Sequence, residues 1–447
     1  MLTGFEPIGF GEDAQDRTAG GGGGQKAFDL SHQLDLLRQR MASAARRVDE
    51  RLGAAQWAPV RAGLESCVPG SEVQNAAGAH YQTGKVFEHF RRYGSLTISE
   101  LAELPDDFLD GISSGTIPPA SPLQWAFLDT ETTGLAGGSG TCAFLIGIGR
   151  ITPEGFRVRQ YFLRDFGEEA SALDELAADL KDVQVLVTYN GKSFDLPLLE
   201  TRYRMARRRP PFTEIPHLDL LHGARRLWRL RMESCSLTYL ESQILGLTRE
   251  GDVPGALIPH IYFDYLRSGS ASRLAQVFHH NVLDIVTLAA LTALVPAAFR
   301  EVTQGAVRHP AEMVSLGRWL RSAGQLEQAL EMFRRAVAGA LPDELLFRTL
   351  WDTAAIEKKL GRVDAAVALY AELAGCRNAH RVTALEELAK HYEHRERNWA
   401  MALEFTETAL EHETTEGLRR RQARLRLRIP KRKGRRPCPQ TGQKHSG

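Results

Sequence analysis

The chain has 447 residues, with 56 Lys and Arg against 55 Asp and Glu, 43% apolar residues and 25% charged residues. That length predicts two to four domains, and the composition excludes uniform disorder, collagen and a disulfide scaffold. The net charge of +1 conceals a partition: residues 417–447 hold 12 basic residues and no acidic one, leaving the other 416 residues with 44 basic against 55 acidic, a balance of −11. The five cysteines, Cys67, Cys142, Cys235, Cys376 and Cys438, are too scattered for a zinc knuckle or a redox pair. They read as free thiols of a reducing compartment. Glu6, Glu12, Asp13 and Asp16 precede any sustained apolar run, unlike a signal peptide. The most apolar stretch, 288–299, contains Pro296 and is too short to span a bilayer. The expectation is a cytoplasmic protein with no membrane span.

Five organisational units are expected in chain order. Residues 1–66 are a flexible N-terminus with five consecutive glycines at 20–24 and one helix over 31–53. Residues 67–118 form a small segment and linker, closed by a Gly and Pro-rich boundary at 113–122. Residues 119–298 change character. Apolar runs predict strands at 124–128, 143–151, 156–163 and 183–189, with helices over 170–180 and 194–208, an α/β layout. From 305 to 412 the strand signals stop and a helical pattern repeats. The segment from Gly324 through Ala329, Phe333 and Ala336 matches that from Gly361 through Ala366, Tyr370 and Leu373 at an offset of 37. Ala402, Thr406 and Ala409 continue it at 36. A Gly turn followed by small, aromatic and small positions points to tetratricopeptide-like helical repeats. Residues 413–447 read as a basic, disordered tail.

Three segments carry chemistry. In Phe127-Leu128-Asp129-Thr130-Glu131-Thr132-Thr133-Gly134-Leu135, Asp129 and Glu131 are two apart at a strand end and share a face. Two unpaired acids held side by side repel unless they hold a hard cation. In Tyr189-Asn190-Gly191-Lys192-Ser193-Phe194-Asp195, a buried strand turns into a helix with Asp195 in its first turn. In His279-His280-Asn281-Val282-Leu283-Asp284, an acid sits on an apolar helix, where burial is costly without a partner. Each segment alone also fits a solvated strand end, a helix cap and a solvated helix start.

Together, in this order, residues 125–294 resemble the DEDD 3′→5′ exonucleases of the ribonuclease-H-like fold. Further matches, His217-Leu-Asp219, Ser236-Leu237, Leu245-Gly246, Asp252-Val-Pro-Gly255 and Ile258-Pro259, are similar to the YprB type. That type joins such a domain to tetratricopeptide-like repeats, and the likeness extends over most of 70–412. It implies an α/β mixed sheet flanked by helices, followed by an all-α region. It also implies a catalytic set of Asp129, Glu131, Asp195, Asp284 and one of His279 or His280. The four acids would bind two Mg²⁺ or Mn²⁺ ions about 3.5–4 Å apart, and the histidine would take the proton of the attacking water. His279 fits the H-x4-D spacing; His280 occupies the other subclass's tyrosine position and matches the YprB type. Thr132, Leu135, Asn190, Phe194 and Arg202 are the candidate substrate contacts. For Leu135 and Phe194, core packing is the competing reading.

Over 196–235, nine arginines face four acids, with Tyr203, Phe212 and Trp228 interleaved. This pattern predicts phosphate and base contacts to single-stranded DNA or RNA. Eleven cations crowd into 419–436 and point to nucleic acid ahead of an acidic membrane surface. The repeats predict an unidentified protein partner. The alternative function is a catalytically inactive nucleic-acid-binding scaffold that recruits a partner. A pure protein adaptor would leave the clustered acids unexplained.

Overall fold

The computed structural model describes residues 63–113, 115–134, 140–300 and 307–429. The glycine run, the helix expected over 31–53, Leu135 and the cations from Lys431 onward lie outside the described residues. A short helix α1 (Leu64–Cys67) leads into strands β1 (Ser71–Asn75) and β2 (Gly78–Glu88). A small hairpin, β3 (Arg92–Tyr93) and β4 (Leu96–Thr97), precedes helices α2 (Ile98–Ala102) and α3 (Asp110–Ser113). Then come β5 (Trp125–Thr132), β6 (Ala143–Thr152), β7 (Gly155–Phe162), α4 (Glu169–Asp179), β8 (Val185–Thr188), α5 (Asp195–Met205), β9 (His217–Asp219) and α6 (Leu220–Trp228). Helices α7 (Leu237–Leu240), α8 (Ile258–Ser268) and the 27-residue α9 (Leu274–Arg300) complete this half.

Seven strands form one mixed sheet in the order β1-β2-β7-β6-β5-β8-β9. β5 pairs antiparallel with β6 and parallel with β8, which pairs parallel with β9. Residues 67–118 are therefore not a separate segment: β2 pairs with β7 from Tyr81↔Phe162 to Glu88↔Gly155, extending the same sheet. The polar, weakly alternating sequence of β1 and β2 conceals this, because antiparallel strands can leave one face in solvent.

Both faces of the central strands are covered, so their sequences read as continuous apolar runs. Alternation sorts the side chains: Trp125 and Phe127 enter the core with Ile285, Val286 and Leu288 of α9. Ala126 and Leu128 enter the opposite core with Leu199 and Tyr203 of α5 and Tyr262 of α8. By the same period, Asp129 and Glu131 project on the α9 face.

Helix α9 lies against the sheet at two glycines of β6. A Cβ on Gly147 would meet Asn281 Oδ1 at 2.2 Å and Ile285 Cδ1 at 2.3 Å. One on Gly149 would meet Ile285 Cγ2 at 2.6 Å. The apolar stretch 288–299 belongs to this helix, which is long and apolar enough to cross a membrane, contrary to the expectation of too short a run. Pro296 does not end it. Yet 78% of its apolar window is buried inside the protein, as befits a core helix.

The remaining helices are α10 (Pro310–Ser322), α11 (Leu326–Val337), α12 (Asp343–Lys359), α13 (Val363–Gly375), α14 (Arg381–His394), α15 (Trp399–His412) and α16 (Glu416–Arg428). They pack as successive pairs, α10 with α11, α12 with α13 and α14 with α15. Gly324 and Gly361 both turn the chain at φ 79°, and Arg397, at the next equivalent position, does so at φ 54°. Ala329, Ala366 and Ala402 are all buried, as are Phe333, Tyr370 and Thr406.

The expected disordered tail is a helix over its first part. Leu418 and Leu425, seven apart, bury one face of α16. The buried Glu393 carboxylate accepts from Arg421 Nη1 at 2.6 Å and Arg424 Nε at 2.8 Å. Arg426 pairs with Glu407 at 2.6 Å. Much of the described positive charge of this segment is thus engaged within the fold.

Gly147→Ala should lower stability by about 1–3 kcal/mol, the usual cost of overpacking. Gly84→Ala is the control, since its nearest non-local atom to a new Cβ is 3.5 Å away. Urea denaturation of both variants checks this: equal midpoints would contradict the close approach of α9.

Candidate active site

Asp129 and Glu131 stand on one face at the end of β5, where a register shift follows at Glu131/Thr132. Asn281 of α9 fastens this strand end to the helix. Its Nδ2 donates to Asp129 Oδ2 at 2.8 Å, and its Oδ1 accepts from Gln160 Nε2 at 2.7 Å. Asn281 is fully buried, so its amide is satisfied from both sides in a low-dielectric setting.

Asp195 arrives by a different route. After β8, Asn190 takes a left-handed turn at φ 68°. Gly191 follows because a Cβ there would lie 2.4 Å from Thr188 Oγ1. Asp219, the N-cap of α6, clamps this turn by accepting from the amides of Asn190 at 2.8 Å and Lys192 at 3.1 Å. The turn delivers Asp195 as the first residue of α5. There its Oδ1 accepts from Thr130 Oγ1 at 2.5 Å, tying it to β5.

Helix α9 brings His280 and Asp284 to the same place. His280 Nε2 is 3.3 Å from Asp284 Oδ2 and 4.0 Å from Glu131 Oε1. Its Nδ1 is 2.8 Å from Asp252 Oδ1. One donor atom each from Glu131, His280 and Asp284 lies within 4.8 Å of the others. Among the described residues, His280 and not His279 stands in ion-pair range of these acids.

Arg249 is a buried counter-charge that sequence reading missed. Its Nη2 donates to Asp284 Oδ1 at 2.6 Å, its Nη1 to Asp252 Oδ2 at 3.2 Å, and its Nε to Glu241. Glu241 is held in turn by Tyr93 at 2.5 Å and Thr287 at 2.7 Å.

Burial raises the pKa of Asp129 well above the carboxylate range, and the charges of Asp284 and Asp195 raise it further. Glu131 rises for the same reasons: burial first, then Asp129 and Asp284. Burial lifts Asp195 to about 6. Asp284 is also raised by burial, against the pull of His280 and Arg249. Burial opposes protonation of His280, but Asp252 and Asp284 outweigh it and its pKa rises. Four crowded carboxylates served by one arginine and one histidine form a hard-oxygen donor set suited to divalent cations such as Mg²⁺ or Mn²⁺.

The other sequence candidates fare unevenly. Thr132 Oγ1 donates to the Gly134 carbonyl at 2.9 Å, within the loop that follows Glu131. Phe194 is 57% exposed, so it is not a core residue. Arg202 is committed to Glu169 in a two-bonded pair at 2.6 and 2.7 Å rather than held open for a phosphate. Tyr203, Phe212 and Trp228 are buried and cannot stack on bases. Arg208 pairs with Asp174, Arg209 with Glu214 and Arg231 with Glu312. Besides Arg249, sequence reading assigned no role to Asn281, Thr130, Asp219, Asp252 or Glu241. Asp219 and Asp252 fall inside the segments that carried the resemblance; a carboxylate that orients another side chain leaves no spacing signature of its own.

A mixed sheet with carboxylates gathered from a strand end, a strand–helix turn and a packed helix defines a ribonuclease-H-like domain. Residues 126–295 match the family model described as the RNase_H superfamily. The chain is also 34% identical over 345 residues to the uncharacterized protein YprB of Bacillus subtilis (strain 168), covering 75% of this chain and 83% of that one. It belongs to the YprB family. Among solved structures, a family B DNA polymerase from the hyperthermophilic archaeon Pyrobaculum calidifontis matches 46% of this chain at 16% identity and a TM-score of 0.32. This chain covers only 30% of that polymerase.

Glu131→Gln removes one charge from a mutually repelling group. In EDTA at pH 8 it should raise Tm by about 2–4 °C, equivalent to about 1 kcal/mol. Mn²⁺ should raise the Tm of the wild type and have a much smaller effect on the variant. Thermal denaturation with and without Mn²⁺ measures both; a lower Tm in EDTA would contradict the repulsion.

Proposed function

We propose that this protein is a metal-dependent 3′→5′ exonuclease that hydrolyses phosphodiester bonds of single-stranded DNA or RNA. The observation that carries the reading is the convergence of Asp129, Glu131, Asp195 and Asp284 on one end of the sheet, with His280 beside them. The order of these residues along the chain supports the DEDD assignment. The four acids would hold two divalent cations, which when bound supply Lewis-acid stabilisation of charge developing on the phosphoryl group.

The protein's own groups do the rest. The neutral His280 ring keeps its proton on Nδ1, fixed by Asp252, and offers the Nε2 lone pair to the attacking water. Water attacks phosphorus, its proton passes to Nε2, and the bond from phosphorus to the leaving 3′ oxygen breaks. Arg249 orients Asp284 and Asp252 together, so a metal ligand and the base's partner are positioned by one guanidinium. Phe194, exposed beside Asp195, offers a ring for the terminal base, with Thr132 and Asn190 lining the approach.

The catalytic unit includes the strands at 71–88, since they complete its sheet. The paired helices from 310 to 412 are read as tetratricopeptide-like repeats that hold a protein partner. Their recurrent buried Ala and aromatic positions and left-handed turns support this.

Incubation of purified protein with 5′-labelled single-stranded DNA and RNA in Mg²⁺, Mn²⁺ or EDTA tests the activity. Metal-dependent shortening from the 3′ end is expected, abolished by Asp129→Ala. His280→Ala should cost about 10²–10⁴-fold in rate, Asp252→Asn about 10–100-fold, and His279→Ala little. Binding without cleavage of any substrate would assign the inactive-scaffold function instead.

A further inference from the structure

The arginine-rich stretch after Asp195 is sorted by the fold into two groups. Arg202, Arg204, Arg208, Arg209 and Arg231 are engaged by acids. Arg207 is exposed in the turn after α5; Arg225 and Arg226 of α6 and Arg229, which caps its C-terminus, are also exposed, and none of these three is paired with an acid among the described residues. Residues three and four apart on a helix are surface neighbours, so these guanidinium groups repel one another at close range.

They line a cleft of about 410 Å³ between α6 and α10. Arg318 and Trp319 enter it from α10, with Leu230 at its edge. Arg318 donates through Nε to Asp352 at 3.2 Å, yet its Nη2 is buried without a hydrogen-bond partner. A buried donor left unpaired is costly, and an anion would satisfy it. The indole of Trp319 is braced edge-on by Phe299 at 5.1 Å between ring centres.

We propose that this cleft is a second nucleic-acid contact, holding the sugar-phosphate backbone of the strand whose 3′ end lies at the carboxylates. The proposal rests on the exonuclease reading for the position of that end. It takes its placement from α6, whose N-cap Asp219 holds the turn that delivers Asp195. Arg229 is ten residues farther on, about 15 Å along a helix, or about four nucleotides at the ~3.4 Å per-strand phosphate spacing of a stacked helix. Unpaired guanidinium groups beside a braced indole suit a strand, whose phosphates and bases alternate. Trp319 is half-buried against the core, and an acidic peptide would use the charges but bring no base to the part of the indole left open at the cleft.

Fluorescence anisotropy with 5′-labelled single strands of 4 and 20 nucleotides tests this, in EDTA so that nothing is cut. The full-length wild type should bind the 20-mer at least 10-fold more tightly than the 4-mer. Arg226→Glu combined with Arg229→Glu should weaken 20-mer binding at least 10-fold. It should also reduce the slope of log Kd against log salt by about 1.4, the value for two single-strand phosphate contacts. Circular dichroism monitors folding, and the milder pair Arg226→Gln and Arg229→Gln should shift binding in the same direction. An unchanged 20-mer affinity and salt slope would overturn the proposal. So would displacement of the 20-mer by a polyglutamate peptide as readily as by an unlabelled strand. Absence of metal-dependent cleavage alongside the expected binding would overturn the exonuclease reading alone.

Discussion

The whole candidate site depends on how closely α9 lies on β6. Gly147 and Gly149 remove the side chains that would hold the helix off, and Ile285 and Asn281 fill the space. At that separation Asn281 can bond Asp129 on one side and Gln160 on the other. Two residues of the sheet and one of the helix are thereby locked in a single buried arrangement. His280 and Asp284 flank Asn281 on the same helix, so their positions relative to Asp129 and Glu131 follow from that lock. Shifting the helix outward by the width of a methyl group would break the amide bridge and move the histidine and Asp284 together. Two β6 glycines far from the acids in sequence thus control the geometry between them.

The arrangement is electrostatically unfavourable by itself. Asp129, Glu131, Asp195 and Asp284 each gain proton affinity from burial, and Asp129 and Glu131 gain more from neighbouring carboxylates. The rest of the structure supplies the cost of holding them there: two hydrophobic cores, one on each face of the sheet. The compensation provided locally is selective. Arg249 pairs with Asp284, Asp252 and Glu241, while among the described residues Glu131 has only the His280 ring, 4.0 Å away, as a cationic neighbour in ion-pair range. A site that compensates some acids and leaves others exposed to mutual repulsion is set for positive charge to arrive from outside.

The elements that carry the acids were legible because their signals are local. The apolar runs at 124–128, 143–151, 156–163 and 183–189 lie on β5 to β8, and the three acidic segments fall at the end of β5, the turn after β8 and on α9. What escaped was non-local. β1 and β2 join the sheet through pairing with β7, which no pattern inside 71–88 announces. Asn281 and Arg249 matter through residues 152 and 35 positions away. Phe194 shows that burial is a matter of placement: an aromatic at a helix start, equally consistent with core, stands out in solvent. Tyr203, Phe212 and Trp228 show the reverse.

The same principle corrects the reading of charge. Counting cations along the chain assigned the stretch at 202–231 and the segment at 419–436 to one role. Partner by partner they divide. Arg421 and Arg424 meet the buried Glu393, whose burial would be untenable without them, so they fasten α16 to α14. Arg202 does the same between α5 and α4 through Glu169. A guanidinium with a carboxylate already in its fork has little capacity left for a phosphate. Of the arginines at 202–231 without an acid partner among the described residues, Arg207 stands alone in the turn after α5, and the ones whose neighbours are also arginines stand at the end of α6 where it faces α10. Local excess of charge survives folding only where the fold supplies no acid, and that absence, rather than the density of cations in the sequence, marks where an anionic strand can be held.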